Sequence, residues 1–159
     1  MIARIFTIGG YGHSSESYFS ALQDHNVDLL VDVRQRRGLR GRKYAFLNSA
    51  ALQAELQRRG IEYLHIKELA PTANIRAAQK EADARSLTMK RERRSLSEQF
   101  IESYTQEILE VRKPQELTAL LSGYIQPCFF CVEGPAAACH RSLVAVWLAE
   151  HLEVPIVNI

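Results

Sequence analysis

Short apolar runs alternate with amphipathic or polar stretches along most of the chain. The first run, residues 4–8, is rich in β-branched residues and leads into Gly9 and Gly10, so it predicts a strand followed by a loop that approaches a ligand closely. Residues 27–33 form a nearly continuous apolar run, which is typical of a central parallel strand buried on both faces. Further runs predict a third, a fourth and a closing strand at residues 61–66, 128–132 and 154–157.

Apolar residues at helical spacing predict the elements between these strands. Residues 15–24 are amphipathic, and residues 50–59 form a second helical pattern that Gly60 ends. The polar pattern of residues 72–122 predicts two or three helices. Residues 142–152 predict a last helix, which is apolar almost all round.

Strands that alternate with helices are typical of a parallel sheet covered on both faces. We therefore predict a three-layer α/β fold, with a mostly parallel central sheet of about five strands in a Rossmann-like arrangement. The 159 residues, of which 47% are hydrophobic, are enough to bury a substantial core within one domain spanning residues 1–159.

Composition narrows the classes of protein to consider. No run approaches the roughly 18 apolar residues of a membrane span, and the first residues lack a signal-peptide pattern, so we expect a cytoplasmic protein with no membrane partner. The three cysteines fall within 12 residues, which is an odd number and a poor distribution for disulfides, so we expect reduced thiols. The sequence does not indicate an oligomeric state.

A basic segment, residues 34–43, follows the second predicted strand. Ligands of open α/β sheets bind outside the carboxyl ends of the strands, so this segment is expected to border a pocket. Arginine outnumbers lysine here, which suits bidentate binding of phosphate or carboxylate. The alternative is a solvated loop whose charge only aids solubility. The six cations are Arg34, Arg36, Arg37, Arg40, Arg42 and Lys43.

Residues 128–142 hold all three cysteines together with a carboxylate, a histidine and an arginine. A zinc site is one interpretation of this segment, because Cys128, Cys131, Cys139 and His140 are potential ligands. However, side chains three apart on a strand point to opposite faces, and the adjacent Cys139 and His140 would need an unusual turn to reach one ion. We therefore predict neither a metal ion nor another cofactor.

Two other interpretations of the same segment remain open. In the first, Cys131 is a nucleophile that shares a strand face with Glu133, and the helix start at His140 and Arg141 lowers a thiol pKa and holds an anion. Cys139 competes for this role because it is closer to the helix. In the second, the cysteines fill the core, and the charged residues form a satisfied polar cluster.

Five further side chains complete the predicted pocket. Asp32 and Arg34 project to one face of the second strand near its end, either as site residues or as a structural ion pair. His13 lies in the first glycine-rich loop, either as a donor for an anion or as an ordinary exposed side chain. Glu68 follows the third strand, and Ser142 lies at the start of the last predicted helix.

A set of short motifs, taken in order, carries a family resemblance. The motifs are Thr7-Ile-Gly9, Val31-Asp-Val-Arg34, Glu68-Leu-Ala-Pro-Thr72, and Cys131-Val-Glu133 followed by Cys139-His-Arg141. In this combination the chain resembles, over nearly its whole length, the family catalogued as domain of unknown function 488. The basic segment departs from that family, because it lacks the Pro and Ser common after Asp-Val-Arg. The resemblance implies a small α/β domain with a site at these motifs and no particular reaction.

These observations predict an anion-binding pocket at the carboxyl edge of the sheet. We hypothesise an enzyme that acts on a phosphate-bearing substrate, either a nucleotide or nucleic acid, with Cys131, Glu133 and His140 as catalytic residues. The alternative is a non-catalytic module that binds nucleic acid or another partner through the arginine-rich segment, and the sequence leaves open whether the protein is an enzyme. The predicted ligand-binding residues are His13, Asp32, Arg34, Arg36, Arg37, Glu68, Cys139, Arg141 and Ser142.

Overall fold

A parallel β-sheet forms the centre of the computed structural model, which describes residues 1–159 except for the side chain of Arg91. Its strands are β1 (Ile5–Gly9), β2 (Leu29–Asp32), β3 (Glu62–His65), β4 (Pro127–Cys131) and β5 (Ile156–Asn158). The strand order is β3-β2-β4-β1-β5, and every neighbouring pair is parallel. β4 therefore lies between β1 and β2, although it is made much later along the chain.

The burial of each strand follows from its composition. β1, β2 and β4 are buried at every position, as expected for apolar runs covered on both faces. β3 and β5 lie at the sheet edges and are partly exposed. The predicted α/β fold with a parallel sheet is confirmed.

Helices surround the sheet on both sides. Their bounds are α1 (Ser15–Asp24), α2 (Ser49–Arg58), α3 (Ala73–Arg85), α4 (Glu98–Tyr104), which continues into a π-helical turn (Thr105–Leu109), α5 (Pro114–Leu120) and α6 (His140–Leu152). Among these described helices, none combines the length and the apolar character needed to cross a bilayer.

Local signals explain several helix ends. The Ser14 and Ser17 side chains form a reciprocal capping box at the start of α1. Ser97 accepts a hydrogen bond from Phe100 N–H at the start of α4, and Pro114 lies at the first turn of α5. Gly60 follows α2 with a φ of +70°, a left-handed conformation that favours glycine and ends the helix.

Two hydrophobic cores separate the layers. α1 and α2 pack on one face of the sheet, where Tyr18, Leu52 and Cys128 are buried. α3–α6 pack on the other face, where Tyr104 and Cys131 are buried. Cys128 and Cys131 therefore face opposite sides of β4, as their spacing predicts.

The last helix begins earlier than predicted, at His140 rather than Ser142. The reason lies in the loop that precedes it, where a 3₁₀ turn (Ala136–Ala138) is followed by Cys139 in an extended conformation. The chain can enter the helix directly from this turn. His140 and Arg141 consequently lie in the first turn of α6, next to the carboxyl ends of the strands.

Gly9 allows the end of β1 to lie directly against the loop that follows β4. A Cβ atom at this position would be 2.2 Å from the Glu133 carbonyl oxygen and 2.7 Å from that of Gly134. Both neighbours are backbone atoms, which cannot rotate away as the end of a side chain could. The close packing of these two segments thus requires glycine at position 9.

We predict that Gly9→Ala destabilises the protein by about 1–3 kcal/mol or more, because the new methyl group forces backbone apart. Gly38→Ala is the matched control, since a Cβ there meets no atom within 4 Å, and we expect a change within about 0.5 kcal/mol. Urea unfolding curves of the two variants and the parent measure the difference. Equal unfolding midpoints for all three proteins would contradict the proposed steric limit.

Candidate functional site

The candidate site lies where β1, β4 and β2 end side by side. Gly9 is in register with Cys131, and Asp32 is in register with Phe130. β1 and β2 lead into helices on one face of the sheet, whereas β4 leads into α6 on the opposite face. A crevice opens at such a change of direction, which is where ligands of α/β sheets bind.

The loop between β4 and α6 is held by the buried side chain of Arg141. Its two terminal nitrogens donate to the carbonyl oxygens of Glu133, at 2.6 Å, and Gly134, at 2.7 Å. Its Nε donates to Thr7 Oγ1 on β1 at 3.4 Å. Arg141 thus uses its donors to fix the loop against the sheet.

Four side chains form a buried group at this edge, which we call the thiol–imidazole cluster: Cys131, Glu133, Cys139 and His140. The Sγ atoms of Cys131 and Cys139 are each 3.3 Å from Glu133 Oε2, and each donates a hydrogen bond to this oxygen when it is protonated. Cys139 Sγ is also 3.9 Å from His140 Nδ1. His140 Nε2 donates to the Val33 carbonyl oxygen at 3.0 Å, so the imidazole is tied to the end of β2.

The cluster divides charge unevenly between its two sulfurs. The pKa of Cys131 is raised by its hydrogen bond with Cys139, by burial and by the nearby carboxylate of Glu133. Burial opposes ionisation of Cys139, but the hydrogen bond from Cys131 and the adjacent His140 lower the pKa of Cys139 below its usual value. Burial likewise opposes a charge on His140, and Cys139 raises its pKa. Cys139 is therefore the more acidic thiol.

Glu133 carries the other negative charge of the cluster. Burial opposes its ionisation, but Lys90 and His140 lower the pKa of Glu133 to about 2. Lys90 Nζ lies 3.2 Å from Glu133 Oε1, and Arg93 lies 4.0 Å from the same oxygen. The carboxylate thus connects the buried thiols to the partly exposed Lys90 and the largely buried Arg93.

A cavity of about 750 Å³, which we call the cationic cavity, opens above this cluster. The sheet edge forms its floor, and α3 and the segment after it form a wall. Two carboxylates, Asp83 and Glu133, line it. The cationic side chains that line it are Arg34, Arg36, Arg76, Lys80, Lys90 and Arg93.

Six of the twelve sequence-predicted site residues line this cavity, namely Arg34, Arg36, Cys131, Glu133, Cys139 and His140. The other six lie outside its lining. Arg37 contacts the Tyr63 hydroxyl, at 3.5 Å, and Ser142 Oγ donates to the Cys139 carbonyl oxygen at 2.8 Å. His13 hydrogen-bonds with Ser17 in α1. The others are Asp32, Glu68 and Arg141.

Asp32 and Arg34 form a buried ion pair at the end of β2. Arg34 Nε and one terminal nitrogen donate to the two carboxylate oxygens, at 2.9 and 2.7 Å, and the other terminal nitrogen donates to the Leu47 carbonyl oxygen. The Tyr63 hydroxyl donates to Asp32 Oδ2, and the guanidinium lies 4.6 Å from the Phe130 ring centre. These contacts agree with the structural alternative for the pair.

The sequence interpretation missed the residues that build the far wall. Arg76, Lys80 and Asp83 lie on one face of α3, because they are spaced by three or four residues. That spacing was readable from the sequence, but the direction of the face was not. Lys90 and Arg93 follow α3 and carried no pattern that would have separated them from ordinary surface charge.

The comparisons with known proteins give a family and no function. The family described as "Domain of unknown function DUF488" matches residues 14–148. The chain belongs to the DUF488 family. No curated protein and no solved structure matches this DUF488 protein. The resemblance inferred from the motifs is thus confirmed.

We predict that Asp32→Ala destabilises this protein by about 3–5 kcal/mol, because it leaves the Arg34 charge buried and unpaired. Glu81→Ala is the control, since it removes one partner of an exposed pair with Arg85, and we expect less than about 1 kcal/mol. Denaturant unfolding measures both changes. The double variant Asp32→Ala/Arg34→Met should recover much of the loss, and no recovery would show that the cost does not come from an unpaired charge.

Proposed function

We propose that this DUF488 protein binds a phosphate-bearing ligand of nucleotide size in the cationic cavity, and acts on it at the thiol–imidazole cluster. One observation carries the proposal. The cavity is lined by six cations against two carboxylates, and its floor brings thiols, an imidazole and a carboxylate together.

The charge of the cavity is only partly cancelled within the protein. Three of the six cations are paired with carboxylates, namely Arg34 with Asp32, Arg93 with Asp83 and Lys90 with Glu133. In the described part of the chain, no carboxylate lies within 4.0 Å of Arg36, Arg76 or Lys80. Such a concave surface of one sign attracts a polyanion and concentrates it near the cluster.

The size and the apolar part of the cavity favour a nucleotide over a simple anion. About 750 Å³ is within the usual range of roughly 300–1,000 Å³ for small-molecule sites. Leu39, Pro71, Leu96 and Phe100 line the cavity beside the cations. Phosphates would lie against the cations, and a base or sugar would lie against this apolar surface.

The cluster supplies the groups that a reaction on this ligand needs. Cys131, Glu133 and His140, the catalytic residues predicted from the sequence, all line the cavity. His140, whose pKa is raised above its usual value, is suited to accept and return a proton, and Glu133 supplies a carboxylate that stays ionised beside the bound ligand. Because Cys131 acts as a nucleophile only when it is a reduced thiol, we propose that the protein works in the reducing environment of the cytoplasm.

A second function is favoured by a separate observation. Arg40, Arg42 and Lys43 are exposed, and they do not line the cavity. A row of exposed cations is suited to the phosphate backbone of a nucleic acid. In this alternative the protein is a binding module, and its affinity falls steeply with salt.

We predict that Arg76→Gln/Lys80→Gln weakens binding of ATP at least about tenfold, because charge-assisted hydrogen bonds contribute about 1.5–3 kcal/mol each. Arg40→Gln/Arg42→Gln removes the same charge outside the cavity and should leave the affinity within about twofold. Isothermal titration calorimetry with ATP and with inorganic triphosphate measures both variants.

Two results would contradict the cavity proposal. One is an affinity for ATP that Arg76→Gln/Lys80→Gln leaves unchanged. The other is an equal loss of ATP affinity in both double variants, because this would show that only the net charge of the protein matters. Tight binding of single-stranded nucleic acid that is lost only in Arg40→Gln/Arg42→Gln would instead support the binding module.

A further inference from the structure

We infer that Cys131, Cys139 and His140 form a binding site for one divalent transition-metal ion, and that zinc fits it best. The two Sγ atoms and one imidazole nitrogen lie within 4.8 Å of one another. Zinc bound to sulfur at about 2.3 Å and to nitrogen at about 2.0 Å needs ligand atoms about 3.5–3.8 Å apart. Cys139 Sγ and His140 Nδ1, at 3.9 Å, are already near this spacing.

The sequence analysis argued against a zinc site because cysteines three apart on a strand face opposite sides, and this argument excludes only Cys128. Cys128 is buried in the core on the opposite face of β4 and cannot be a ligand. The turn that Cys139 and His140 require is present, because the 3₁₀ turn and the extended Cys139 bring both side chains toward Cys131. The inference therefore reverses the expectation that the protein holds no metal ion.

The imidazole of His140 is oriented as in a metal ligand. Its Nε2–H donates to the Val33 carbonyl oxygen, which leaves Nδ1 as the nitrogen that faces the sulfurs. Metal-binding histidines almost always donate their second ring N–H to a carbonyl or carboxylate, because this fixes the ring and its tautomer. This hydrogen bond is an observation independent of the distances between the ligand atoms.

Glu133 is adjacent to the three ligands but is not part of the group whose ligand atoms all lie within 4.8 Å of one another. Its Oε2 is 3.3 Å from both sulfurs, while its Oε1 is held by Lys90 on the cavity side. Three protein ligands with a fourth position facing a cavity are typical of catalytic zinc sites, whereas structural sites have four protein ligands. The fourth position is thus available to water or to a ligand oxygen.

Charge balance favours a divalent ion at this depth. Binding converts both cysteines to thiolates and leaves His140 neutral, so the two negative charges balance the ion and the displaced protons pass to solvent. The charge of the adjacent Glu133 is balanced separately by Lys90, at 3.2 Å. A neutral buried site avoids the cost of an unpaired charge. Any role of the ion toward a phosphate group depends on the proposed function, whereas the binding of the ion does not.

Cobalt titration of the full-length protein, reduced and treated with a chelator, tests the inference. We expect visible ligand-field absorption and near-ultraviolet thiolate-to-cobalt charge transfer that saturate at a single equivalent and are displaced by Zn²⁺. Cys131→Ser and Cys139→Ser should abolish the charge transfer from the missing thiolate and weaken Zn²⁺ binding more than about 100-fold. Cys128→Ala, which changes the same strand on its other face, should bind as the parent does.

Several results would overturn the site. One is the absence of saturable charge transfer in the parent, and another is an unchanged spectrum in Cys139→Ser. A third is a loss of charge transfer and Zn²⁺ affinity in Cys128→Ala that equals the loss in the other two variants. X-ray absorption of the zinc-loaded parent needs no variant that might misfold, and should show two sulfur ligands with nitrogen or oxygen completing the shell. A shell without sulfur, or with three sulfurs, would contradict the assignment.

Different measurements test the metal site and the anion pocket, so that one can be contradicted without the other. Arg76→Gln/Lys80→Gln should bind Co²⁺ as the parent does while losing affinity for ATP. The chelated parent, titrated with inorganic triphosphate, reports on the cations alone. Normal metal binding without any anion binding would therefore refute the proposed function and leave the metal site standing.

Discussion

The buried guanidinium of Arg141 is the interaction on which the geometry of this edge depends. It joins the loop carbonyls of Glu133 and Gly134 to Thr7 on β1, and Thr7 in turn donates to Asn158 on β5. The start of the loop after β4 is thereby held against two strands of the sheet. Because Glu133 lies in this loop between the two cavity-facing cysteines, these hydrogen bonds help to set the position of its backbone relative to both thiols.

The fold was predictable because its signals are local. The apolar run of residues 27–33 contains β2, because a strand that is buried on both faces needs apolar residues. Gly60 ends α2, because the left-handed φ at this position favours glycine. The floor of the site followed from the same logic. Once the strands are parallel neighbours, the residues after β1, β2 and β4 meet at one edge whatever their separation in sequence.

The position of the cavity wall and the distances between the Cys131 and Cys139 sulfurs and His140 were not predictable, because they depend on tertiary packing. The charged face of α3 is recognisable by its spacing, but only its packing on α4 turns Arg76 and Lys80 toward the strand ends. The argument against metal ligation was that Cys139 and His140 would need an unusual turn, and the structure contains such a turn, because Cys139 is extended between a 3₁₀ turn and a helix. Irregular backbone of this kind is where sequence patterns carry least information.

The late insertion of β4 has a consequence for how this protein folds. β1 and β2 share no hydrogen bonds, so during synthesis each exposes an unpaired central edge until residues 127–131 are available to fill the gap. The middle of the sheet is thus closed by a contact between distant segments, which makes closure slow compared with helix formation. Because the same strand carries Cys131 and leads into the loop that holds Glu133 and Cys139, the reactive edge cannot form before the centre of the sheet has closed.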